Sequence, residues 1–400
     1  MMDEPSAIGL VSPIRAWPSV LGWSCFLGCS WTWVIGLFLP ILLVRDYGFW
    51  GWVVFAVPNV LGAAAMGFVL WSPESSRKVC ERHESACLRF SDITVAYHVF
   101  VVGWLFNIDS MIAIAAVMLV MWLVLWRRPE FILPAAVLVT VISLIAFCYF
   151  LDAGGWSASV FSASGEPRLS RVDLLLFIPA SLTGFLLCPY LDLTFHRARQ
   201  SLRPQAGKVA FALGFGVVFL VVIIFSLAYA STLSLTEGGI SINDTNWINL
   251  VVVHMIVQIA FTLSMHVHEV TERRGHAGLH RTFSYMICGG ALAWWALNDV
   301  SITTYSIRIG EVIYRMFLLC YGLAFPAYVW LCMIPYRHRP TRKYRMLIFT
   351  ATIVIAMPLG FYYFVAMYSW LILVVLAILG LARVVLELVG KVKTSDKVDL

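Results

Sequence analysis

Residues Gly22 to Pro40 read GWSCFLGCSWTWVIGLFLP, and Phe177 to Arg197 read FIPASLTGFLLCPYLDLTFHR. Both stretches are apolar enough to lie in a bilayer, and both carry helix-weakening residues near their middle. In the first these are Gly28, Cys29 and Ser30; in the second they are Thr183 and Gly184, with Pro179 and Pro189 on either side. Proline removes an amide donor and clashes with the preceding turn, while glycine lets the backbone leave helical geometry. Unwound backbone inside a membrane presents carbonyls to cations and N–H groups to anions, which is how many transporters build a site near the midplane. Small residues also permit close helix packing, so either stretch alone reads first as a packing surface. The pair says more than either member.

The surrounding chain is a membrane protein throughout. Of its 400 residues 61% are hydrophobic and 12% charged, about half the charge of a soluble domain, and the mean hydropathy is +0.86. That composition excludes nucleic-acid binding, disorder and a disulfide scaffold. The nine cysteines show no CxxC or CxxH spacing and read as packing residues. The N-terminus, Met1-Met-Asp-Glu-Pro5, lacks a basic region and cleavage site, so no signal peptide is expected. At about 20 apolar residues per helix the chain divides into twelve spans: 20–44, 48–71, 93–108, 110–127, 131–151, 172–195, 208–232, 246–270, 282–299, 310–335, 345–364 and 366–389. The third and fourth form either a pair split at 107–110 or one helix of about 50 Å, far beyond a core of roughly 30 Å. Charge chooses the split: with the N-terminus inside, 22 of the 28 Lys and Arg fall in cytoplasmic segments and four outside, as the positive-inside rule requires. The net charge of +6 is therefore read as orientation, with both termini cytoplasmic and a bacterial inner membrane as the expected location. The 72–92 loop mixes Val79, Cys80, Cys87, Leu88 and Phe90 with charges, which fits a short amphipathic helix at the interface or a solvated loop.

The two interrupted spans are first and sixth, five apart and entering from opposite faces. An odd repeat inverts topology. The expectation is an all-α integral membrane protein, one polytopic domain over 1–400, with a first five-helix repeat at 20–151, an inverted second repeat at 172–335 and two appended helices at 345–389. This order resembles the LeuT-type fold of the amino acid-polyamine-organocation superfamily. Within it, Tyr190-Leu-Asp192-Leu-Thr-Phe-His196-Arg197-Ala198 is similar to the end of the sixth helix of sodium/solute symporters. The resemblance implies solute transport with a sodium site partly built from paired hydroxyls in the eighth span. Here Thr262 and Ser264 are separated by Leu263 and face about 200° apart on a helix, which departs from that pattern.

Ionisable groups within predicted spans are few, and each is a functional candidate by default. Glu311 and Arg315, four residues apart, are placed to neutralise one another. Asp192 lies near the cytoplasmic His196, Arg197 and Arg199, where an interfacial ion pair competes with a transport role. His254 shares a helix face with Gln258; histidine changes charge near neutral pH, so this imidazole reads either as a proton carrier or as a hydrogen-bonded core residue. His98 invites the same two readings. His266, His268, His276 and His280 cluster without metal-ligand spacing, and Gly-rich phosphate loops and hydrolase motifs are absent. Asn243-Asp-Thr245 fits the glycosylation triplet on the outer side.

The function these features predict is a secondary active transporter, symporter-like and not an enzyme, moving a small organic solute by alternating access without a cofactor. Expected substrate contacts are Gly28, Cys29, Ser30, Thr32, Tyr97, Trp104, Thr183, Gly184 and Phe185, with Trp31 and Trp33 as further aromatic walls. Such walls suit an apolar or cationic solute. His254, Gln258, Asp192 and His98 are the candidates for coupling to a proton or sodium ion. The alternatives are a six-plus-six facilitator, whose Gly-x-x-x-Asp-Arg-x-Gly-Arg-Arg loop is missing after the second span, a transporter-like sensor, and a membrane-embedded enzyme.

Overall fold

Thr32 and Trp33 divide the first apolar stretch. The computed structural model describes residues 13–106, 108–153, 167–230, 233–236, 239–242, 248–298, 303–304 and 307–395. In it α1 (Pro13–Trp31) and α2 (Val34–Tyr47) meet at an angle of 55°. The break thus falls just beyond Gly28, Cys29 and Ser30, which remain helical. Packing explains the difference: a Cβ on Gly28 would come within 2.6 Å of Val218 Cγ1, so this glycine serves close helix approach. Trp33 instead takes an extended conformation, φ −84° and ψ 175°, and opens the second arm.

After α3 (Phe49–Val69), Ser72 caps α4 (Pro73–Arg82) through a reciprocal pair of bonds with Ser75, and Pro73 occupies the first turn. The amphipathic helix expected after the second span therefore exists, but it stops at Arg82. His83 separates it from α5 (Glu84–Leu105), so the third long helix starts at residue 84 and not at 93. Phe106 is extended and ends α5 before α6 (Ile108–Arg127) begins, so the expected split is present. A short turn at Pro129–Phe131 leads into α7 (Ile132–Asp152).

The sixth stretch breaks later than expected. Helix α8 (Arg171–Leu187) runs unbroken through Thr183 and Gly184, and the interruption is a 3₁₀ turn at Cys188–Leu191 followed by Asp192, which caps α9 (Leu193–Ser201). Thr183 turns its hydroxyl back onto the Pro179 and Ala180 carbonyls, and Gly184 faces the Tyr321 carbonyl, where a Cβ would lie at 3.0 Å. Pro189 and the Asp192 cap supply the break.

The remaining elements are α10 (Pro204–Leu213) and α11 (Leu220–Ala230) around a π-helical turn, a hairpin of β1 (Leu233–Thr236) and β2 (Gly239–Ile242), α12 (Ile248–Asn298), and a second hairpin of β3 (Thr303–Thr304) and β4 (Ile307–Arg308). Then come α13 (Ile309–Leu319), a π-helical turn at Cys320–Ala324, α14 (Phe325–Tyr328), a second at Val329–Met333, α15 (Arg342–Phe364) and α16 (Leu371–Ser395). The 51 residues of α12 would extend about 75 Å if straight, too long for one crossing. Gly275, with φ 55° and ψ −142°, kinks it between the expected eighth and ninth spans.

Among the described residues nine helices are long and apolar enough to cross a membrane, ten if the bent α1/α2 pair is counted as one span, and Met111–Arg127 is a shorter apolar helix. The protein is an α-helical membrane protein. Extensive packings include α5 and α6 against α12, and α2, α8 and α10 against α3, while α1 packs on α7, α10 and α12, and α15 on α16. Apolar side chains such as Leu138, Ile145, Val354 and Ile355 remain exposed on the outer helices, where lipid covers them. The glycosylation triplet at 243–245 lies outside the described residues.

Candidate functional site

The two helix breaks are neighbours in space, and a cavity of about 80 Å³ lies beside them. Trp31 and Trp33 form one wall from the α1/α2 break, Cys188 and Tyr321 the floor opposite, and Phe177, Ala180, Gly184 and Phe185 the α8 side. Each tryptophan is pinned by its indole: Trp31 Nε1 donates to Asn59 Oδ1 at 2.6 Å and Trp33 Nε1 to the Ser30 carbonyl at 2.6 Å, with the rings 4.5 Å apart. The Cys188 thiol donates to the Tyr321 carbonyl at 3.2 Å. Tyr321 and Thr94 hydroxyls are 2.8 Å apart, which ties the floor to α5. Aromatic and aliphatic groups thus dominate the lining, an environment for an apolar or cationic organic group.

One end of the cavity is closed by charge. Arg45 donates to both oxygens of Glu311 at 2.7 and 2.8 Å and to Asp46 at 2.7 Å; Arg315 donates to Asp46 at 2.6 Å and to Glu311 at 2.8 Å. The i, i+4 pairing of Glu311 with Arg315 is present, but it is half of a four-membered network that joins the end of α2 to the start of α13. Two positive and two negative groups cancel, which makes their burial tolerable. Tyr47 stacks on Phe177 nearby with centroids 5.6 Å apart. Sequence reasoning missed Arg45 and Asp46 because they sit at the end of an apolar run, where charge ordinarily means water.

A second ion network ties the helix after the α8 break to α12. Arg197 on α9 pairs with Glu269 and Glu272 on α12, and His268 lies 3.4 Å from Glu272. Asp192 does not join Arg197 or Arg199. It is fully buried, its Oδ1 accepts the Thr194 amide at 2.8 Å and hydroxyl at 2.7 Å, and its Oδ2 has no partner. Arg199 instead donates to the backbone carbonyls of Leu70, Trp71 and Leu202. The expected interfacial ion pair at Asp192 is therefore replaced by a helix cap. Tyr190 O can only accept, so His196 carries its proton on Nε2 toward it at 3.0 Å and accepts from Ser76 on Nδ1 at 2.8 Å, which pins α9 to α4.

A second buried cluster lies where α1, α7 and α12 meet. Ser143 donates its one hydroxyl proton to the Val139 carbonyl at 2.9 Å, so it accepts from Gln258 Nε2 and from His254 Nδ1, each at 2.9 Å. The His254 proton then sits on Nδ1, and Nε2 is left as a bare lone pair; Gln258 Oε1 is likewise buried without a partner. Cys29 Sγ contacts Thr140 Oγ1 at 3.2 Å, and Thr262 donates to the Cys29 carbonyl at 3.1 Å. Ser264 points elsewhere and donates to the Met118 carbonyl at 3.1 Å, so the two hydroxyls separate as the helical spacing requires. The fourth candidate, His98, is satisfied on both nitrogens: Nδ1 donates to the Thr94 carbonyl at 2.7 Å and Nε2 accepts the Val34 amide at 3.4 Å. It caps the N-terminus of α2 across the break.

Of the expected substrate contacts, Gly184 and Phe185 line the cavity, as do the walls Trp31 and Trp33. Gly28, Cys29, Ser30, Thr32, Tyr97, Trp104 and Thr183 do not. Thr32 bonds back to the Gly28 carbonyl at 2.7 Å, Tyr97 stacks on Phe317 behind the floor, and Trp104 packs on Phe38 and Phe100. Thr140 and Ser143 were missed. Their signal was the i, i+3 spacing of two hydroxyls in an otherwise apolar span. No family model matches the chain, and no curated protein matches it.

Proposed function

We infer that the protein is a secondary transporter that carries a small apolar or cationic organic solute through the cavity at the two helix breaks. The observation that carries this reading is the pairing of the bent α1/α2 helix with the α8/α9 interruption around one aromatic cavity. A buried ion network stands at one end of it, and the Arg197 network ties α9, the helix after the second break, to α12. Helices that serve only as scaffold gain nothing from two broken backbones in one place. In this reading the α12 kink and the shorter α6 complete twelve spans, α1–α7 and α8–α14 form two inverted units, and α15 and α16 are additional. The packing of α5 and α6 on α12, and of α2, α8 and α10 on α3, agrees with a scaffold and a moving bundle in the LeuT-type manner.

Positive-inside charge places the Arg45 network at the outer end and the Arg197 network at the cytoplasmic end. Breaking one while the other holds gives access from one side at a time. The cluster of Cys29, Ser143, His254, Gln258 and Thr262 is the coupling site: it offers two free acceptors, His254 Nε2 and Gln258 Oε1, and no unused donor. A proton on His254 Nε2 fits that deficit. The test is reconstitution into liposomes with imposed proton or sodium gradients and a solute panel. Proton-driven accumulation that disappears in His254→Ala supports the reading, gradient-independent uptake reduces it to a facilitator, and sodium-driven uptake removes His254 from the coupling role.

A further inference from the structure

Away from the cavity, unpaired positive charge gathers in a second hollow, of about 470 Å³, where the end of α4 meets the segment joining Val329–Met333 to α15. Arg82, Arg339, Arg342 and Arg345 line it with His83 and Tyr336, and no carboxylate does. Nearby acids are engaged elsewhere: Glu84 pairs with Arg274 at 3.1 Å, and Glu387 accepts the Arg337 and His338 amides. Arg345 gives Nη1 to the Cys332 carbonyl at 2.7 Å, but its Nε is buried without a partner. Helix α15 begins at Arg342, and its cap residue Thr341 makes no side-chain bond, so the free amides and positive dipole end of a 23-residue helix add to the same field. His83 reports that field: burial and the charges of Arg345, Arg82 and Arg342 push its imidazole down to about 4.

Four guanidinium groups and a helix N-terminus around one hollow repel one another unless an anion sits among them, and the planar fork of arginine matches phosphate oxygens. The hollow sits where α15 passes from Arg342 into its apolar run, at the edge of a membrane-spanning segment. Met346 on its rim is 38% exposed, and on the other side of α15 Leu347, Val354 and Ile355 are exposed at 60, 69 and 57%, so lipid surrounds the helix that begins at the hollow. We propose that this hollow binds the phosphate of an anionic phospholipid headgroup, so that a lipid clamps α4 to α15 at the membrane surface. Basic pockets between membrane helices on the positively charged side are built for that chemistry. The proposal stands whether or not the cavity carries a solute.

The test uses the full chain purified in detergent and native mass spectrometry with phosphatidylglycerol, phosphatidylcholine or inorganic phosphate as the probe. Wild type is expected to retain phosphatidylglycerol in preference to phosphatidylcholine. Two charge-assisted contacts are lost in Arg339→Gln/Arg342→Gln, so its apparent affinity for phosphatidylglycerol should fall about tenfold or more. Arg203→Gln, an exposed arginine outside the hollow, should leave retention unchanged. Arg339→Gln alone should give a partial loss, and an unchanged unfolding midpoint in each variant separates this from misfolding. Equal retention by the double variant overturns the proposal, as does equal retention of the two lipids. Retention of inorganic phosphate without phosphatidylglycerol assigns the hollow to a soluble phosphate compound and overturns the lipid reading.

Discussion

Replacing Glu311 with glutamine removes one of the two negative charges that join α2 to α13. Three contacts are affected, two from Arg45 at 2.7 and 2.8 Å and one from Arg315 at 2.8 Å. Hydrogen bonds to charged groups contribute about 1.5 to 3 kcal/mol each. The glutamine oxygen keeps part of this and Asp46 still bridges both arginines, so the closed arrangement should lose roughly one such bond, about 1.5 to 3 kcal/mol. At about 1.4 kcal/mol per tenfold, the open fraction rises some 10- to 150-fold while it remains the minor state. Cys188 reports it, because its thiol lines the cavity. In a variant retaining Cys188 as its one cysteine, held in vesicles with the Arg45 end outward, a membrane-impermeant thiol reagent should label Glu311→Gln at least tenfold faster than its parent. Glu130→Gln, which breaks an exposed pair with Arg128 at 3.4 Å, should label at the parent rate. An unchanged rate in Glu311→Gln, or an equal rise in both variants, would show that the network does not hold this end closed.

Other consequences follow from the same packing. Ser143→Ala strands the Gln258 and His254 donors, each costing about 1 to 3 kcal/mol; unfolding should occur several degrees lower, and adding Gln258→Leu should recover part of that loss, whereas strictly additive losses would show that the groups are independent. Gly28→Val should cost about 1 to 3 kcal/mol by overpacking against Val218, while Gly290→Ala, with nothing within 4 Å of its Cβ position, should change the unfolding midpoint little. Because His83 titrates at about 4 in the fold against about 6.5 unfolded, the unfolded chain binds more protons between those values. Stability is then full above pH 6.5 and declines as pH falls toward 4, by at most about 3 kcal/mol; His83→Gln should flatten that part of the profile, and an unchanged slope in unfolding midpoint against pH would contradict it.

The residues explain why some features could be read in the sequence and others could not. Span order, the Phe106 division and the amphipathic α4 follow from hydropathy, length and charge, which act locally. The positions of the breaks do not. Gly28 and Gly184 look like the weak points of their helices, yet both stay helical and serve close approach, to Val218 in one case and to the Tyr321 backbone in the other. Thr32, Trp33, Pro189 and Asp192 take the break because caps reach them: His98 meets the Val34 amide from 64 residues away, and Asp192 caps the helix it begins. The aromatic walls Trp31 and Trp33 were readable because their indoles lie beside the break. Tyr97 and Trp104 carry the same chemistry but face a different neighbour, and only tertiary packing separates the two cases. The Arg45–Asp46 half of the ion network was hidden because pairing across 266 residues leaves no local trace.

The central claim is that solute crosses through the cavity between the two breaks. Ala180 lies on the α8 wall of that cavity and belongs to neither ion network nor the His254 cluster, so Ala180→Trp fills the space without replacing a group proposed to gate or couple. The decisive measurement is initial uptake of a panel of apolar and cationic organic solutes into proteoliposomes by wild type and Ala180→Trp, with matched unfolding midpoints. Protein-dependent uptake of at least one solute class is expected, abolished by Ala180→Trp and retained in an Ala180→Ser control. Uptake at the wild-type rate with the cavity filled, or no uptake of any member by a folded protein, would contradict it.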